Sequence, residues 1–213
     1  ALMYATLRGN IRLVKRLLEL DNASDQAMVT DNQSRHNALA YALTAADNQI
    51  AEALLDLPTA NEQVLSRDLD GANVLTLAAQ DGKSHMVQSL LRLSNAAIQA
   101  TGVDVYQRNA LIYAASLGHV EVIRQLLSMK SGWAQAKHTD INGWNSLMHA
   151  AVMGQSDVVE FMLSQPFADD LVAATDVDGN DVISIASSAG NLQIAARLLN
   201  FKNNLRPKNT AWA

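Results

Sequence analysis

Cysteine is absent from the 213 residues. A disulfide framework and a cysteine-ligated zinc are both excluded, and the composition fits a reducing compartment such as the cytoplasm. No apolar run approaches the roughly 20 residues that cross a bilayer, so a membrane is not an expected partner. A basic-then-apolar leader is missing as well, yet the chain begins at Ala1 and not at Met. It therefore reads as a piece of a longer protein, from which a targeting segment could have been left out. Positive charge is short: 16 lysines and arginines stand against 21 acidic residues, for a net charge of −5. Phosphate recognition needs a positive field, so nucleic acid is not an expected partner either. The one basic cluster, Arg8, Arg12, Lys15 and Arg16, reads as the solvated face of a helix.

Catalytic signatures are missing too. There is no nucleophile elbow, no zinc-binding His-Glu-x-x-His and no dinucleotide glycine fingerprint. Gly82-Lys83-Ser84 copies the end of a phosphate-binding loop, but that loop needs a glycine five residues before Gly82, where Leu77 stands. The run from Asp176 to Asp181 has the carboxylates of a calcium loop. Its glycine, Gly179, is fourth where the loop needs it sixth, and Ser187 occupies the twelfth place in place of a glutamate. His36, His85, His119, His138 and His149 form no ligand set; His149 falls in a column with Tyr41, Leu77, Tyr113 and Ile185 and reads as half-buried packing. No catalytic residue, metal or cofactor is expected.

What the chain does have is apolar residues, 49% against 17% charged, enough for a packed core. They recur in register. Leu126-Leu127 follows Gly118 at an offset of eight, and the same offset joins Gly9 to Leu17-Leu18, Gly82 to Leu90-Leu91, Gly154 to Met162-Leu163 and Gly190 to Leu198-Leu199. In the second repeat Ala46 takes the glycine's place before Leu54-Leu55. The six positions are spaced 37, 36, 36, 36 and 36 residues apart.

Each repeat reads as a pair of short helices. Asn109 precedes Ala110-Leu111-Ile112-Tyr113-Ala114-Ala115, and asparagine caps a helix because its side-chain oxygen accepts from a free N–H of the first turn. Asn37, Asn73, Asn145 and Asp181 hold the same place. Gly118 ends this helix, and a second starts at about His119, with Val122, Ile123, Leu126 and Leu127 on one face. Two such helices cannot bury their stripes alone but can do so stacked on copies of themselves. Acidic turns separate the repeats: Asp68-Leu-Asp-Gly71, Asp104-Val-Tyr-Gln107, Asp140-Ile-Asn-Gly143 and Asp176-Val-Asp-Gly179.

Cap, Leu, Ala-Ala, Gly-His or Gly-Asn and Leu-Leu at these offsets resemble the ankyrin repeat. The resemblance implies an all-α solenoid of stacked helix-turn-helix units with protruding hairpin-like turns. It predicts one domain over residues 1–200, in units of about 1–29, 30–66, 67–102, 103–138, 139–174 and 175–200. A tail or linker follows at 201–213, with helix broken from Asn203 to Pro207. Two features depart from the family. Asn-Ala, Asn-Val or Asn-Ser replaces its Thr-Pro helix start, and Ala40, Thr76, Ile112, Met148 and Ser184 replace its histidine. The period is also about three residues longer than the family's 33. The extra length follows the second helix, which is either extended there or followed by a short extra turn.

The resemblance further implies a non-catalytic module that binds another protein through its concave face and turn tips. Positions the repeat does not need for its own fold lie in the turn, just before the cap and just before the terminating glycine. In the last repeat these are Val177, Asp178, Asn180, Ser188 and Ala189. The fourth and fifth repeats carry the residue types that dominate interfaces. Tyr106, Arg108, Leu117, Asn142, Trp144, Val152 and Met153 are accordingly the expected protein-binding residues. A second reading stands beside it for Tyr106 and Trp144, in which both pack on neighbouring turns and stiffen that edge. For the whole, a monomer in the cytoplasm is expected. The alternative is a targeting domain of a larger enzyme, or of a secreted bacterial effector acting in the host cytosol, whose catalytic part lies outside this stretch.

Overall fold

The computed structural model describes residues 1–45 and 47–205, so the role given to Ala46 and the linker at 206–213 lie outside the described residues. Among the described residues no strand forms; there are only isolated antiparallel bridges, Arg67 with Asn73 and Thr175 with Asp181. The chain forms two compact units, residues 1–110 and from Leu111 onward. The first holds α1 (Leu2–Leu7), α2 (Ile11–Leu18), α3 (Ala23–Met28), α4 (Ala38–Thr44), α5 (Asn48–Leu55), α6 (Ala60–Gln63), α7 (Val74–Gln80), α8 (Ser84–Leu91) and α9 (Ala96–Ala100). The helix α10 (Ala110–Leu117) starts on its last residue. The second unit continues with α11 (Val120–Leu127), α12 (Gly132–Lys137), α13 (Ser146–Val152), α14 (Ser156–Leu163), α15 (Ala168–Ala173), α16 (Val182–Ser188) and α17 (Leu192–Leu205).

First helices pack on first helices: α1 on α4 and α4 on α7 in the first unit, α13 on α16 in the second. Second helices do the same, α2 on α5 and α14 on both α11 and α17. Ala38, Leu39, Ala42 and Leu43 of α4 are buried; Val122, Ile123 and Leu126 of α11 are buried as their spacing predicts, and Leu127 of the same face is half-buried. This is the all-α ankyrin-type stacking expected from the sequence.

The extra residues of the long period form a separate third helix, α3, α6, α9, α12 or α15, and not an extension of the second. The cap residue explains why this helix stays docked. Asn145 Oδ1 accepts from Met148 N at 3.0 Å while Asn145 Nδ2 donates to Leu171 O of α15 at 3.1 Å. Asn73 bonds Thr76 N and Gln99 O at 2.9 and 2.8 Å, and Asn37 bonds Ala40 N and Gln63 O at the same distances. Asparagine is needed because one amide both accepts and donates.

In the last repeat the cap is Asp181, which cannot donate. There α17 runs on as one helix through Asn203 to Leu205, where the sequence pattern predicted a break. Lys202 Nζ donates to Asp181 Oδ2 at 2.8 Å, and α17 packs on α15 and α16. Nothing between Leu192 and Leu205 is glycine or proline, and packing outweighs the modest helix propensity of the asparagines. Burial by itself would raise the Asp181 carboxyl; the hydrogen bonds from Lys202 and Ser184 and the Lys202 charge outweigh it and hold the group at about 2. A depressed folded value stabilises above the ordinary carboxylate range, and the gain is lost as pH falls toward 2. Asp181→Asn should therefore cost about 1 kcal/mol at neutral pH, the partial exposure of the pair limiting the figure. Urea titrations across pH should show the deficit vanish near pH 2; a deficit constant with pH would exclude the ion pair as its cause.

The fourth residue of each turn is left-handed. Gly143 has φ +80, and a Cβ there would come 2.9 Å from Val177 N, so Gly143→Ala should destabilise by about 1–2 kcal/mol. Arg35, exposed, occupies the matching place at φ +59 in the longer second-repeat turn. Arg35→Gly should stabilise by about 0.5 kcal/mol, the relief of strain less the added freedom of the unfolded chain. Denaturant midpoints that move in the same direction for both variants would refute this assignment.

Candidate functional site

Turn aspartates organise the surface. In the second unit Asp140 Oδ1 accepts from Asn142 N at 2.9 Å and from Trp144 N at 3.0 Å. Asp176 Oδ1 does the same for Asp178 N and Asn180 N, at 3.0 and 2.7 Å. Val177 N donates to Asn142 O at 3.0 Å, which sets the two turns side by side. The remaining carboxylate oxygens hold side chains. His149 Nε2 lies 3.0 Å from Asp140 Oδ2, so this histidine is half-buried, as its column predicts, but is also a hydrogen-bonding partner of the turn. Trp144 Nε1 donates to Asp176 Oδ2 at 3.2 Å, and the indole meets the His149 ring edge-on with centroids 5.4 Å apart.

Trp144 is thus half-buried and fixed from two sides. Burial would raise the Asp176 carboxyl, but the bonds from Asn180, Trp144 and Asp178 outweigh this and lower it, so it stays ionised. Beside the indole lies an open groove of about 510 Å³. Asn142, Trp144 and Val152 line it from the fifth repeat; Asp176, Val177, Asp178, Asn180, Ser184, Ile185, Ser188 and Ala189 line it from the sixth. Ile185, 6% exposed, is the most buried of the aliphatic lining residues.

Of the residues expected to bind protein, Asn142, Trp144 and Val152 come together in this groove. Leu117 and Met153, at the ends of their helices, are exposed in the same unit but do not line it. Tyr106 and Arg108 belong to the first unit. The Arg108 guanidinium carbon sits 4.5 Å from the Tyr106 ring centroid, and Nη2 is 3.0 Å from the buried carboxylate of Asp104. That pairing holds the half-exposed tyrosine in one orientation. Apolar turn tips flank both places, Leu69 and Val105 in the first unit and Ile141 and Val177 in the second, all more than half exposed.

The family description "Ankyrin repeats (3 copies)" matches residues 45–135 and 75–172, together more than half of the chain. This chain belongs to the ankyrin repeat family. Solved structures agree on the fold. The ankyrin repeat protein EF0377 superposes with a TM-score of 0.78 at 20% identity, over 94% of this chain and 96% of that one. An ankyrin repeat domain from Acinetobacter baumannii AYE, ABAYE2397, gives 0.75 at 23% identity over 94% and 97%. No curated protein sequence matches. Ankyrin repeats are in general protein–protein interaction modules, and the fold is in general non-catalytic. Among the described residues no group of three or more acidic or histidine side chains is placed to hold a metal, and no helix is long and apolar enough to cross a membrane.

The sequence places sixth-repeat positions among those open to a partner, but its expected binding residues come from the fourth and fifth repeats only. Val177, Asp178, Asn180, Ser188 and Ala189 sit in the same columns as the chosen residues, and that signal finds them. Ile185 had no such signal, because its column is otherwise packing.

Proposed function

We propose that this ankyrin repeat chain binds another protein, with Asn142, Trp144 and Val152 in the groove of the second unit as its principal contacts. Leu117 and Met153 supply further apolar surface in that unit. Tyr106 and Arg108 are the corresponding contact of the first unit. The observation that carries this reading is the state of Trp144. Its one polar group is already satisfied by Asp176, so a partner can cover the ring without stranding a donor. Tryptophan, tyrosine and arginine are the residues that most often dominate interface energies. The cysteine-free composition supports a cytoplasmic setting.

Affinity capture with the native chain and with Trp144→Ala tests the reading. The variant should bind a captured partner about 2 kcal/mol or more weakly, roughly 30-fold. Its own unfolding should cost about 1–2 kcal/mol less, for the bond to Asp176 and the edge-on contact with His149. Undiminished capture would refute the assignment. A collapse of the melting midpoint would make Trp144 a core residue.

A further inference from the structure

We propose that the groove of the second unit seats a lysine or arginine side chain carried on an extended peptide segment of the partner. This rests on the protein-binding reading above and specifies its ligand chemistry. Two carboxylates, Asp176 and Asp178, line the groove, and among the described residues no lysine, arginine or histidine does. Lys202 of the last repeat is engaged by Asp181 at 2.8 Å. Asp176 is held in place by four donors and keeps its charge; Asp178, exposed, lines the same space. An anionic ligand would meet like charge with no cation in the lining to offset it, whereas a cation is drawn in.

The rest of the lining is apolar. Trp144, Val152, Ile185 and Ala189 present ring and aliphatic surface. A long cationic side chain is the one type that matches both parts, since its methylene stem lies on apolar surface while its head stays polar. The Trp144 ring attracts that head further, while its N–H is already bonded to Asp176 Oδ2. The volume of about 510 Å³ exceeds one side chain and lies in the range of ligand sites, about 300–1,000 Å³. Asn142 and Ser188 line the groove with an amide and a hydroxyl for the flanking peptide backbone, and the oxygens of Asn180 and Ser184, whose donors are held by Asp176 and Asp181, add acceptors.

The test is a nuclear magnetic resonance titration of the nitrogen-15-labelled chain with Ac-Ser-Gly-Gly-Xaa-Gly-Gly-Ser-NH2, where Xaa is Lys, Arg, Leu or Glu, and with free argininamide. The Lys and Arg peptides should move the Trp144 indole N–H and the Ser184 and Ser188 amides. They should bind at least roughly threefold more tightly than the Leu peptide, and the Glu peptide should not bind. Added salt should weaken the Lys peptide, and Asp178→Asn should weaken it roughly threefold or more with an unchanged melting midpoint. A Leu peptide equal to Lys, or Asp178→Asn without effect, overturns the cationic inference and leaves the groove a binding surface. Argininamide equal to the Arg peptide overturns the peptide occupant. If no probe moves any groove resonance, the groove itself fails as the binding surface.

Discussion

Asn145→Asp is expected to destabilise the second unit by about 3 kcal/mol at neutral pH, although aspartate is as good a helix cap as asparagine. The accepting half of the amide survives, because Asp can still receive from Met148 N. The donating half does not. Leu171 O loses its partner at 3.1 Å and faces a carboxylate oxygen in a site only 1% exposed. A buried carbonyl without a donor costs about 1–3 kcal/mol, and a buried charge without a partner adds to it. The sign of the pH dependence follows. A carboxyl in this site is forced toward its neutral form, so its folded value is raised above its unfolded one. The protonated acid can donate to Leu171 O, so the deficit is smallest below the ordinary carboxylate range and grows as pH rises through it. Urea unfolding of the variant from acid to neutral pH measures this directly. A deficit under about 1 kcal/mol at neutral pH would mean that the bridge to α15 contributes little. The last repeat is the natural control, since there Asp181 stands in the cap and Lys202 supplies the donor.

Leu126→Ala should cost about 2–5 kcal/mol, the largest effect expected of any single truncation proposed. Leu126 is fully buried on α11, which packs on α14 and α12. Each layer here is only two helices and a short third one thick, so few neighbours can relax into the space. The loss therefore includes a cavity as well as the transfer of the side chain. Denaturant unfolding should show a lower midpoint, and amide exchange should quicken in α11 and α14. An unchanged melting profile would remove Leu126 from the interior of the stack.

The two predictions differ in how much of them could be read beforehand. Leu126 announces itself: the pair Leu126-Leu127, eight residues after Gly118, repeats along the chain. Asn145 announces half its role. Its place before Ser146-Leu147-Met148 identifies a cap, but nothing in the sequence shows that the same amide reaches Leu171, 26 residues on. The third helices were legible only as one of two alternatives, the short extra turn, for the same reason. Stretches such as Ala96–Ala100 are too short to show a period of their own, and their position depends on a bond made by a distant residue.

Trp144 shows where a column of types stops being informative. Its place before the cap marked it as dispensable for the repeat, and both a binding and a stiffening role stood open. The structure gives the residue a tie to the next turn through Asp176 and a place in the wall of the groove.

The sequence by itself determined the repeat, the first and second helices, the caps of the first helices, the acidic turns and the ankyrin family. These depend on signals a few residues long that recur in register. Tertiary structure alone decided that the extra length is a third helix, that α17 continues to Leu205 and that the groove joins Trp144 to Ile185 and Asp178. Those features depend on contacts between residues 21 or more positions apart, within one repeat or across two, and the directions of those side chains are fixed only once the helices pack.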